Sequence, residues 1–204
     1  LYDFQAKTLE SFRDEQFNVV LKARQMGIST LVSGYALWLM TFFTDKSVLC
    51  IAINQETAKN IVTKVTHMSE NLPSWLRSEC TEKNKLSMRF KNGSSIRAAS
   101  SSVDASRSTS LSLLIVDECA FIGNMEDIWT ASQSTITTGG RSILLSTPNG
   151  IGNFFHKTWV GSMDGSNDFN PIKLHWSLHP DREQEWRDAQ TKLMGEKESA
   201  QECD

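Results

Sequence analysis

Apolar positions along the chain follow two alternating rhythms. Tyr2, Phe4, Leu9 and Phe12 stand among polar residues at nearly helical spacing through Gln16, and Phe17 follows. This predicts a short amphipathic helix ahead of a first strand at Asn18–Lys22. Ser29–Phe43 is apolar almost all round, as expected of a helix covered on several sides. Lys46–Asn54 is a buried strand by its continuous apolar run, and Gln55–Asn71 is a helix with Ala58, Ile61, Val62, Val65 and Met68 on one face, ending before Pro73. Leu113–Val116 and Ser142–Ser146 are two more central strands, separated by a helix at Met125–Thr137 and a Gly139-Gly140 turn. The alternation predicts an α/β fold with a mainly parallel central sheet covered by helices.

Leu86–Ala99 breaks the rhythm around Asn92-Gly93, a hairpin signal. A two-residue turn there would set Met88 against Arg97 and scatter the apolar set. A three-residue loop of Lys91, Asn92 and Gly93 with a glycine bulge pairs Met88 with Ile96 and Leu86 with Ala98, leaving Ser87, Arg89 and Arg97 on the wet face, and is preferred. Lys83, Lys85, Arg89, Lys91 and Arg97 make this the most basic segment, either a solvated face or a DNA contact. Ser100–Ser112, serine-rich with Asp104 and Arg107, reads as a loop. The aromatics Phe154, Phe155, Trp159, Trp176 and Trp186 are expected against the sheet, and Arg182–Cys203 as one charged helix with Trp186, Ala189 and Leu193 inward.

With 204 residues the chain can bury a full core. A net charge of −3 excludes a broadly basic nucleic-acid coat, though not a local basic face. Cys50, Cys80, Cys119 and Cys203 are widely spaced and lack zinc or redox pairing, which fits a reducing compartment. His175 and His179 have no acid or cysteine ligand beside them and read as packing or surface residues. The longest apolar run, Leu31–Phe43, is too short to span a membrane. The start at Leu1 and the end at Asp204 suggest an excised fragment of a longer chain.

Three stretches carry chemistry. Leu21-Lys22-Ala23-Arg24-Gln25-Met26-Gly27-Ile28-Ser29-Thr30 joins a strand to a helix, as phosphate loops of the form G-x-x-x-x-G-K-[ST] do. Gly27 and Ser29 or Thr30 occupy the second-glycine and hydroxyl positions, but Ile28 replaces the lysine and Ala23 or Arg24 stands near the first glycine. Leu113–Val116 ends in Asp117-Glu118, which puts two carboxylates at the carboxyl end of a central strand, where ligands bind in such sheets. In a nucleotide hydrolase the first acid orders Mg²⁺ and the second activates water. Ser146-Thr147, closing the next central strand, could sense the γ-phosphate.

Together, Lys22–Thr30, Ile115-Val116-Asp117-Glu118-Cys119-Ala120-Phe121-Ile122 and Leu144-Leu145-Ser146-Thr147-Pro148-Asn149-Gly150 resemble the large terminase subunit of tailed double-stranded DNA bacteriophages. The resemblance covers nearly the whole chain as an N-terminal ATPase domain. It implies a RecA/ASCE-like P-loop NTPase fold with the hairpin near 86–98 added, ATP and Mg²⁺ as ligands, and a nuclease domain in the parent chain but not in this segment. It moves the phosphate-contacting lysine to Lys22 and gives Gln5 the reading of adenine. Gln25, Met26, Gly27, Ile28, Ser29 and Thr30 become the nucleotide loop, with Ser29 and Asp117 toward the metal and Glu118 as base. Arg24 and Arg107 are both candidate arginine fingers, and Ser108 stands where a glycine is frequent. Implied partners are double-stranded DNA, the portal, the small terminase subunit and further copies in a ring, in the host cytoplasm and transiently at the procapsid. A helicase-like translocase shares the acid and hydroxyl signals, and Ile28 also fits a degenerate nucleotide-binding module.

Overall fold

The computed structural model describes residues 1–102, 110–136 and 139–203. In chain order its helices and strands are α1 (Asp3–Asp14), β1 (Phe17–Lys22), α2 (Ile28–Phe42), β2 (Ser47–Ala52), α3 (Gln55–Glu70), β3 (Cys80–Lys83), β4 (Ser87–Phe90), β5 (Ser95–Ser100), β6 (Leu113–Val116), α4 (Met125–Ile136), β7 (Arg141–Ser146), α5 (Phe154–Asp164), β8 (Asn170–Leu174), α6 (Gln184–Met194) and α7 (Glu196–Cys203). The strands form one sheet in the order β3-β4-β5-β2-β6-β7-β1-β8. Every pairing from β5 to β8 is parallel, and only β4 runs against its neighbours. The expected helix-covered parallel sheet is therefore present.

Strand side chains divide between two cores, as the period of two requires. Val20, Val48, Cys50, Leu113, Ile115 and Leu145 pack with α1, α2 and α3 residues such as Phe12, Val32, Met40, Ile61 and Val65. Val19, Leu49, Ile51, Leu114, Val116 and Leu144 face Met125 and Ile128 of α4 and Phe155 of α5. With both faces covered, the central strands must be apolar throughout, which is why their signal is a continuous run rather than alternation.

The hairpin takes the bulged register: Met88 pairs with Ile96 and Ser87 with Arg97, and the Ala98 N–H donates to the Leu86 carbonyl (2.7 Å). Gly93 has φ +84°, which the bulge demands. Through β5, paired in parallel to β2, this hairpin extends the main sheet. Three positive charges of this basic segment are paired, Lys83 with Glu70 (2.6 Å), Lys91 with Glu79 (2.7 Å) and Arg89 with Glu82 (3.6 Å).

Three features depart from expectation. β3 and β8 are strands that no apolar pattern announces: they are the two edges of the sheet, and all four β3 residues are exposed. The C-terminal helix is two helices, because Gly195 (φ +87°) ends α6 and α7 starts afresh. Ala189 and Leu193 are exposed on α6, while Trp186 and Met194 pack against the core with Cys203. The predicted loop at 100–112 falls largely outside the described residues, Asp104, Arg107 and Ser108 included.

Gly140 leads into β7, and a Cβ there would run into the Leu111 carbonyl oxygen and lie 3.1 Å from Ile136 Cα. Because the obstruction is backbone, Gly140→Ala is expected to cost about 1–3 kcal/mol. Thermal melting followed by circular dichroism should show a fall of about 2–10 °C in Tm for a chain of this size.

Candidate functional site

Parallel pairing carries β1, β7 and β6 in the same direction, with β7 between the other two. Their carboxyl ends therefore open on one edge of the sheet, and the three stretches singled out in the sequence meet there. The decisive contact joins the first two: Ser29 Oγ donates to Asp117 Oδ2 (3.1 Å). Asp117 is buried and its other oxygen accepts the Glu118 N–H (3.0 Å). Thr30 is exposed, so Ser29 is the hydroxyl that faces the acid.

The loop before α2 is held from behind. Arg182 donates to the carbonyls of Arg24 (3.0 Å) and Gln25 (3.2 Å), and Gln5 Nε2 donates to that of Met26 (3.1 Å). With these carbonyls drawn into the protein, no described group accepts from the backbone N–H groups of residues 25–29. Gly27 caps α2 at φ +73°, a left-handed conformation that favours glycine, and a Cβ there would come to 2.8 Å from Nε2 of the flexible Gln5 side chain. The result is a helix N-terminus with unpaired donors, a site suited to an anion.

A cleft of about 190 Å³ lies over these donors, lined by Lys22, residues 25–30 and Lys64. Ile28 adds no charge: it is 2% exposed and belongs to the core. Lys22, at the end of β1, stands at the opposite end of the loop and is half-buried. Beyond Gly27 and Thr30 opens a larger, mainly apolar cavity of about 730 Å³ between α1 and α2, with Gln5, Tyr35, Trp38 and Met68 in its walls.

The loop and the acids share a further property. Three described non-glycine residues have positive φ, and two of them, Gln25 (57°) and Glu118 (54°), stand in this site. Such conformations cost about 1–3 kcal/mol each and persist where surroundings over-determine them. At Glu118 the surroundings are explicit: Ser146 Oγ accepts the Ala120 N–H (3.1 Å), and Asn149 Nδ2 donates to the Ala120 carbonyl (3.1 Å), pinning the turn after the acids to the end of β7. Burial and, secondarily, the Asp117 charge push the Cys50 thiol well above its ordinary range, so it is an inert thiol beneath the site.

Other candidates are placed differently. Arg24 does not line the cleft; its guanidinium is ion-paired with Glu202 of α7, whose carbonyl accepts the Arg24 N–H (2.7 Å). The Ser146 hydroxyl is buried and committed to the Ala120 turn, and Thr147 beside it is also buried. Arg107 lies outside the described residues. Of the histidines, the His175 Nδ1 engages Ser177 and His179 packs edge-on to Tyr2, in line with packing roles. Among the described residues no three His, Cys, Asp or Glu side chains gather as a metal site. Sequence reasoning missed Lys64, Arg182 and Glu202. Only Arg182 had a local signal, Trp186 four residues on, over which its guanidinium stacks at 4.3 Å.

A family model described as "Terminase large subunit, T4likevirus-type, N-terminal" matches residues 19–203. Among solved structures, the large terminase ATPase domain of Thermus phage P74-26 superposes with a TM-score of 0.79 at 22% identity, covering 100% of this chain and 92% of that one. The large terminase of a thermophilic bacteriophage, in complex with ADP, gives a TM-score of 0.77 at 13% identity, over 99% of this chain and 52% of that one. For the HK97 bacteriophage large terminase the values are 0.73 and 17%, over 98% and 46%. The chain thus spans about half the length of the latter two proteins and shares their RecA-like fold.

Arg182 is the residue whose loss tests the held loop. Arg182→Ala leaves two carbonyls without their donor and should cost about 1–3 kcal/mol. Hydrogen exchange should quicken selectively at the hydrogen-bonded amides of Ala23 and Arg24, while amides of β2 and β6 keep their protection.

Proposed function

The chain belongs to the T4likevirus-type terminase large-subunit N-terminal family, and we propose that it hydrolyses ATP to drive double-stranded DNA into a viral procapsid. The observation that carries this reading is the Ser29–Asp117 contact, which brings a phosphate-loop hydroxyl and a strand-end carboxylate together from positions 88 residues apart.

The triphosphate would lie on the N–H groups of residues 25–29, with Lys22 neutralising its charge from the β1 side. Gln5 keeps capacity for adenine: its amide gives one bond to Met26 and accepts one from Tyr2 (3.1 Å), leaving a second N–H and a second lone pair directed by the same side chain. The apolar cavity that Gln5 borders has room for a nucleobase.

Mg²⁺ fits the donor set. Asp117 is a buried carboxylate that forms no ion pair among the described residues, and a hydroxyl with one carboxylate is what Mg²⁺ takes when substrate phosphates and water complete its shell. Ser29 and Asp117 would hold it, and when bound it would draw off the charge that builds on the phosphates. Glu118, set at its angle by the pinned turn, accepts the proton of the attacking water as that oxygen bonds to the γ-phosphorus and the bond to the β-phosphate oxygen breaks. Ser146 couples this step to β7 through the turn it holds, with Thr147 beside it. Arg24, once released from Glu202, and Arg107 are the two candidate fingers for the γ-phosphate.

Residues 1–204 serve in this reading as the motor domain of a longer chain whose nuclease domain lies elsewhere, so this unit cleaves no DNA. Its partners are double-stranded DNA, the portal, the small terminase subunit and other copies in a ring, in the host cytoplasm and transiently at the procapsid. No helix among the described residues is long and apolar enough to cross a membrane.

Glu118→Gln is expected to keep ATP binding and lose about two to four decades of steady-state hydrolysis, the size of a general-base contribution. Undiminished turnover would remove Glu118 from the role. Lys22→Ala should lose measurable ATP binding in equilibrium titration, and wild-type affinity there would remove Lys22 from the role of the displaced lysine.

A further inference from the structure

Lys64 is not part of any motif, yet it lines the cleft over the phosphate loop. It belongs to α3, whose Ala58, Ile61, Val62 and Val65 are buried. Four residues on, Met68 lies on the same side of the helix and borders the cavity formed with Gly34, Tyr35 and Trp38 of α2. α2 and α3 each follow a strand of the same direction and pack together, so the stripe that meets mid-α2 at Met68 meets its first turn at Lys64.

The charges at this spot are unbalanced. Lys64 is half-buried and, among the described residues, makes no ion pair or hydrogen bond, whereas Lys59 on the same helix pairs with Glu56 (2.9 Å). Lys22 is likewise without a side-chain partner among the described residues. Two lysines and the positive end of α2 thus border one small cleft, and Asp117 is buried with its carboxylate accepting from Ser29. Like charges so confined repel unless a polyanion lies between them.

The geometry points to Lys64 as a second phosphate-binding cation, supplying from α3 the charge that Ile28 removes from the loop. A lysine stem is long enough to approach a phosphate from a neighbouring element, and its ammonium acts as a point charge without a fixed angle of attack. This rests on the ATPase reading above. It also explains how the loop tolerates Ile28: Lys22 enters from one end and Lys64 from the helix alongside.

The test is equilibrium titration of the wild-type chain, Lys64→Met, Lys64→Arg and Lys59→Met with ATP and Mg²⁺ at two salt concentrations, after melting curves establish that each variant is folded. Lys64→Met should weaken ATP binding about 10- to 100-fold, as for loss of a charge-assisted contact, and flatten its salt dependence. Lys64→Arg should stay within about threefold of wild type because the charge remains, and Lys59→Met should bind as wild type does. ATP affinity of Lys64→Met within about twofold of wild type would overturn the assignment, as would an equal loss in Lys59→Met, which would mark a general charge effect. A wild-type chain that binds no ATP would instead defeat the ATPase reading itself, and this proposal with it.

Discussion

Parallel pairing of β7 between β1 and β6 is the constraint from which the rest of the site follows. It aligns three strand ends on one edge, so a loop from residues 23–30, a pair of acids at 117–118 and a hydroxyl at 146 become neighbours without any being near another in the chain. The strands hold that alignment because both faces are covered: α1, α2 and α3 lie on one side, and α4 and α5 on the other. A slip of one residue in β6 would exchange its two faces and carry Asp117 away from Ser29.

Within this frame the loop at residues 23–30 is shaped mainly by what pulls on its carbonyls. Arg182 and Gln5 draw three successive carbonyls inward, and the N–H groups are left facing the cleft. Arg182 is itself partly buried, which lowers its guanidinium pKa from the ordinary value, but an arginine so placed stays protonated at neutral pH. It stacks on Trp186, so the start of α6 acts as a brace for a loop more than 150 residues earlier in the chain. α7 adds a second brace through Glu202, and this one has a consequence for chemistry, since it holds Arg24 outside the cleft.

Ser146 illustrates how a residue type can be right for a site while its contact differs from the simplest expectation. A hydroxyl at the end of β7 suggests direct contact with a phosphate. Its oxygen also accepts the Ala120 N–H, in the turn that carries Glu118 in a left-handed conformation.

Much of this was determined by the sequence alone. Continuous apolar runs identify the central strands because these must be apolar on both faces, and the three-four spacing of α3 identifies its buried side. Even the hairpin register follows from keeping Met88 and Ile96 on one face. The clustering of Lys22, Gly27, Ser29, Asp117 and Glu118 was legible because strand-end motifs obey the topology that the same pattern predicts. Tertiary structure decided what has no periodic signature. β3 and β8 are edges held by backbone pairing, which β3 makes with four exposed residues and β8 with only Ile172 and Leu174 packed on the core. Gly195 broke a helix that charge pattern alone extends, and packing left Ala189 and Leu193 exposed. The placing of Lys64, Arg182 and Glu202 around the loop depends on packing between distant elements, and a single charged residue in a sequence carries no mark of which distant backbone or cleft it will face.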